Sequence, residues 1–68
     1  MREVAITTDV IRLGQFLKLA GMVDVGSDVK ALLAEGEVEV NGLREVRRGR
    51  QLVRGDVVAI GEVEVQVG

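Results

Sequence analysis

The apolar positions change period along the chain, and each period predicts an element. "EVAIT" (Glu3–Thr7) is mostly β-branched and apolar and predicts a short strand. Val10, Leu13, Leu17 and Ala20 then return at helical spacing, with Phe16 beside them. They predict a first helix over Val10–Ala20, capped by Thr8 or Asp9 and stopped by Gly21. Arg12, Gln15 and Lys18 lie three apart on its opposite face. Gly14 weakens that helix by about 1 kcal/mol relative to alanine. A second helix, Ser27–Glu35, is expected to start on the Ser27 hydroxyl, with Asp28 at the positive end of its dipole. Val29, Leu32 and Leu33 form its stripe, Lys30 points away from them, and Gly36 ends it.

After Gly36 the period falls to two. "EVEVNG" alternates strictly and ends on Asn41-Gly42, the strongest short hairpin signal. The return strand is expected near Leu43, and Gly49 and Gly55 mark later turns. "DVVAIGEVEVQV" predicts two strands, Asp56–Ile60 and Glu62–Val67, joined near Gly61. The resulting order is β-α-α-β-β-β-β, an α+β fold. Two helices alone bury little, so they require one face of a small, mostly antiparallel sheet that the terminal strands complete. Leu13, Phe16, Leu17, Leu32, Leu33, Val38 and Val40 are the expected core.

Composition narrows the class. At 68 residues the chain is a single domain, residues 1–68, expected to bury about 60% of its unfolded surface. With 47% apolar and 29% charged residues it is not a disordered segment. There is no Cys, His or Tyr, and Ser27 is the only serine, so the commonest nucleophiles and general bases are missing. The carboxylates of "EGEVEV" alternate with valine, as a solvated strand face does. A non-enzymatic protein with no metal, no cofactor and no small-molecule substrate is expected. No apolar run approaches the roughly 18 residues of a membrane span, and no signal-peptide core opens the chain. A soluble, cytoplasmic monomer is the expectation.

Charge changes the picture most. The chain is acidic, with nine basic and eleven acidic residues. Five of the nine basic ones, Arg44, Arg47, Arg48, Arg50 and Arg54, fall in eleven positions opposed only by Glu45. That window therefore carries +4 and the remainder −6, which together make the net −2. Arginine offers a planar fork of donors that fits phosphate oxygens, and phosphate neutralisation releases counterions. The bland alternative is a solvated loop whose arginines pair with nearby glutamates. Phe16 is the only aromatic residue and sits among core leucines, so base stacking on a ring is not the expected mode. Folded RNA met through phosphate and shape remains.

Three strings carry a family resemblance: "RLGQFLKLAG", "DVKALLAEGEVEVNG" and "GRQLVRGDVVAIG". They resemble the αL motif, the S4-like RNA-binding module, over about residues 11 to 60. Arg12-Leu13 stands at the opening of its first helix. Val29-Lys30 stands where Ala-Lys is usual. Gly36, Val38, Val40, Asn41 and Gly42 match its hairpin, and Gly55-Asp56 its last strand. "GQFLKLAG" with "RRGRQL" looks most like the small stand-alone bacterial proteins of the YbcJ/YaaA type. The resemblance implies structured RNA, with ribosomal RNA a candidate, and no catalysis of its own. Two departures remove positive charge from the usual helical face: Gly26 where an arginine is common, and Gly14-Gln15 where Asp-Lys is common. Contact is therefore expected to be led by Arg47, Arg48 and Arg50. Arg12, Lys18, Lys30, Asn41, Arg44 and Arg54 are the other candidates.

Two other classes compete. A protein-docking module, seated on a ribosomal or other protein, fits the low isoelectric point. A ubiquitin-like sulfur carrier fits the size, but it needs a Gly-Gly terminus and the sequence ends "VQVG".

Overall fold

Alternation dictates the sheet. In a computed structural model that describes all 68 residues, Val38 and Val40 point into the core while Glu39 between them faces solvent. The strands are β1 (Arg2–Val4), β2 (Ile11–Arg12), β3 (Val38–Val40), β4 (Leu43–Arg44), β5 (Gln51–Leu52), β6 (Val57–Ile60) and β7 (Val63–Val67). The helices are α1 (Leu13–Leu19) and α2 (Val29–Ala34), both between β2 and β3. The main sheet runs β1-β7-β6-β3-β4. All its pairings are antiparallel except β1 with β7, which is parallel. The α+β architecture and the place of both terminal strands in this sheet match the sequence expectation; that they pair with each other is a finding of the structure. Asn41 (φ 53) and Gly42 (φ 83) make the two-residue turn between Val40 and Leu43, where positive φ is required at both central positions.

Both helices lay an apolar stripe on one face of this sheet. Leu13, Phe16, Leu17 and Ala20 of the α1 region join Val29 and Leu33 of α2. From the strands come Val38, Val40, Leu52, Val58, Val65 and Val67, with Ile6 closing one end. Six of the seven expected core residues are buried. The seventh, Leu32, is only half-buried, because it lies about 100° around α2 from Leu33 and off the line that Val29 and Leu33 bury.

Boundaries differ from the periodicity at the first strand, which was expected over Glu3–Thr7 but ends at Val4, and at the starts of both helices. The first helix was expected from Val10, but Ile11-Arg12 form a strand paired antiparallel with Leu52 and Gln51. The β-branched Ile11 and a waiting partner outweigh helical spacing there, and Val10 is exposed. Neither Thr8 nor Asp9 is the cap; Arg12 is, and its N–H donates to Gln15 Oε1 at 3.4 Å. The second helix starts two residues later than expected. Asp28, not Ser27, caps it, with Oδ1 accepting from the Ala31 N–H at 3.1 Å. The short strands β2 and β5 were not foreseen. No helix is long and apolar enough to cross a membrane.

Candidate functional site

The arginine-rich segment is a built loop, held from two sides. On one side is Glu45, the only buried ionisable residue of the chain. Its carboxylate accepts from the backbone N–H groups of Val46 (3.0 Å) and Arg47 (3.1 Å). It also receives the Arg47 guanidinium in a two-point grip, Nε at 3.2 Å and Nη2 at 3.1 Å. Arg50 Nε lies 3.5 Å from the same carboxylate. The Arg47 side-chain hydrogen bond, more than the opposing effect of burial, holds the Glu45 carboxyl down at about 2. The same contact pushes the Arg47 guanidinium further up.

On the other side the loop caps α1. The first N–H groups of a helix lack intrahelical acceptors. Here Leu13 donates to the Arg50 carbonyl at 2.8 Å and Gly14 to the Arg48 carbonyl at 2.9 Å. Arg50 N–H donates back to Arg47 carbonyl at 3.2 Å, closing the turn between them. Gln51-Leu52 then pairs with Ile11-Arg12, so the loop leaves alongside the strand that enters α1. Gly14 is where the pieces meet. A Cβ there would stand 3.5 Å from both Arg48 and Val29 Cγ1.

This docking opens a cleft of about 350 Å³ between the starts of the two helices and the loop. Arg12, Lys18 and Arg48 line it, with Gln15, Ser27 and Asp28. Three cations that are 6 to 36 positions apart in sequence are thereby gathered on one concave wall.

The other candidates are placed elsewhere or already partnered. Arg47 and Arg50 flank the cleft and share Glu45. Lys30 is exposed in the first turn of α2, outside the cleft lining. Arg44 extends from β4 across Gly36, where α2 ends. Arg54 Nη2 donates to the Ile6 carbonyl at 2.8 Å. Asn41 Oδ1 accepts from the Val57 N–H at 2.9 Å, and its Nδ2 donates to Asp56 Oδ1 at 3.0 Å. In sequence Glu45 reads only as the one acid of the basic window, and Gly14 only as a helix weakener and a departure from the family pattern, neither as part of the site. A lone carboxylate two residues before one arginine and five before another was the available signal.

Comparison with known proteins bears on this arrangement. The family model described as "S4 domain" matches residues 4–68. RlbA of Bacillus subtilis (strain 168), named a probable ribosome maturation protein, is 51% identical over 57 residues, covering 84% of this chain and 80% of that protein. YbcJ of Escherichia coli (strain K12), provisionally named an RNA-binding protein, is 37% identical over 57 residues, covering 84% and 81%. A YbcJ of Shigella flexneri, named uncharacterized, matches to the same extent. A family model spanning nearly the whole chain, and relatives at these identities, show that this chain belongs to the S4 domain family.

Proposed function

We propose that this protein binds folded RNA, ribosomal RNA first among candidates, without catalysing a reaction on it. The observation that carries the proposal is the convergence of Arg12, Lys18 and Arg48 on one open cleft in a chain of net charge −2. These three cations meet phosphates at the centre of the contact. Arg47, Arg50 and Lys30 add charge at its rim, and the acidic residues elsewhere confine contact to this face. Recognition runs through phosphate and backbone shape, because Phe16 is fully buried and no ring is available for stacking. The names given to RlbA and YbcJ agree with this reading.

The test is a salt titration with purified bacterial ribosomal RNA, comparing wild type with the triple substitution Arg12→Glu, Lys18→Glu, Arg48→Glu. Each phosphate contact contributes roughly 0.7–0.9 to the slope of log affinity against log salt, so three lost contacts should flatten it by roughly 2–3. Poly(U), an unstructured strand, should bind more weakly than ribosomal RNA. Equal binding by wild type and triple variant would refute the cleft. A wild type that ignores RNA, yet keeps a partner through nuclease treatment, would favour a protein-docking module.

A further inference from the structure

We propose that Glu45 is a positioning residue for RNA binding: the carboxylate, although an anion in a contact surface for polyanions, holds Arg48 in the cleft and so strengthens binding. The inference rests on the RNA-binding reading above and extends it to a residue of the opposite charge.

Six residues with three arginines and one glycine, Glu45–Arg50, have no apolar side chain in the core, so nothing hydrophobic fixes their path. Fixing them costs backbone conformational entropy at every residue. Two sets of polar contacts oppose that cost. The carboxylate takes the N–H groups at the loop's start, Val46 and Arg47. The helix α1 takes two carbonyls at its end, those of Arg48 and Arg50. Arg48 follows the first anchor directly and belongs to the second through its carbonyl. Among the loop arginines it alone has no carboxylate partner, and it alone lines the cleft beside Arg12 and Lys18. Glu45 thus occupies Arg47 and Arg50 while leaving Arg48 available. A buried carboxylate whose hydrogen bonds all run to Val46 and Arg47 of one loop has the geometry of a brace.

The two accounts of Glu45 differ in sign. If only charge mattered, Glu45→Gln would raise the Arg44–Arg54 segment from +4 to +5 by removing its one acid, and RNA would bind more tightly. As a brace, the same substitution loosens the loop, and RNA binds more weakly despite the added positive charge. The expected loss is on the order of tenfold, about one charge-assisted contact, with a salt slope lower by roughly 0.7–0.9.

The experiment titrates wild type, Glu45→Gln and Glu45→Asp against purified bacterial ribosomal RNA at two salt concentrations. Amide spectra establish that each variant is folded. Glu45→Asp retains the charge and is one methylene too short to reach all its partners, so it should also bind more weakly; charge alone predicts no change. It also serves where Glu45→Gln does not fold. Binding by a folded Glu45→Gln that equals or exceeds wild type overturns the inference, as does Glu45→Asp at wild-type affinity. In both cases the RNA-binding reading stands. A wild type that fails to bind overturns the reading and the inference together.

Discussion

Asn41 stands in a left-handed conformation and bonds two partners on the far side of a turn. Its side chain ties β3 to the start of β6, and Asp56 passes the tie on by accepting the Val53 N–H at 2.9 Å. Both polar ends of the amide are in use, so Asn41 acts here through structure. Asn41→Ala is expected to lower stability by about 1–2 kcal/mol, combining two lost hydrogen bonds with an unfavourable positive φ. Asn41→Gly removes the bonds without the strain and should cost less. Urea unfolding separates the two, and RNA affinity should stay within about twofold for both. Glu45 adds a pH dependence. Its carboxyl sits at about 2 in the folded protein, below its ordinary 4.5, so folding favours the ionised form. The stability it contributes is complete above 4.5 and is lost as pH falls towards 2. Wild type should therefore lose more stability between pH 7 and pH 3 than Glu45→Gln does. Equal losses, measured by denaturant unfolding, would remove Glu45 as the source.

At the level of elements, α2 separates two leucines that look alike in sequence. Leu33 is fully buried and Leu32 half-buried. Leu33→Ala should cost about 2–5 kcal/mol, and Leu32→Ala less than half as much, read from urea midpoints. In α1, Gly14→Ala should be neutral or stabilising by up to about 1 kcal/mol. The new Cβ meets Arg48 and Val29 at ordinary contact distance, and alanine is the better helix former. Alternation and turn chemistry made the sheet legible in sequence: β3, the Asn41-Gly42 turn, β6 and β7 lie where the period-two pattern puts them. Two-residue strands such as β2 and β5 leave no periodic trace, since each exists only because the other is there. The site was half legible. Clustered arginines marked the loop, yet charge in sequence says nothing about which arginine a buried carboxylate will claim. The meeting of Arg12 and Lys18 with Arg48 depends on the carbonyl caps of α1, which any backbone could supply.

Across the whole molecule, thirteen apolar side chains carry the core. At roughly 0.05–0.15 kcal/mol per residue, a domain of this length holds only about 3–10 kcal/mol of net stability. Phe16 is the largest fully buried side chain. Phe16→Ala, at about 3–5 kcal/mol, should leave much of the population unfolded, visible as lost helical circular dichroism at 25 °C. Charge is unevenly spread on the same scale, with the cleft cations on one side and the exposed Glu39 and Glu64 on the sheet, cross-strand from Arg44 and Ala59 respectively.

The parallel pairing of β1 with β7 has a mechanical consequence. Arg2 lies opposite Val65 and Val4 opposite Val67, so Met1 and Gly68 emerge at opposite ends of one ladder. Tension applied at the two termini slides the strands along each other and strains all their hydrogen bonds at once. Tension applied between Asp56 and Gly68, at the open end of the β6–β7 hairpin, parts those strands one bond at a time. Stretched singly, the molecule should yield from its termini in one step at high force and from the hairpin at a markedly lower one. The pair at this edge of the sheet is thus also the molecule's clamp against being drawn apart from its ends.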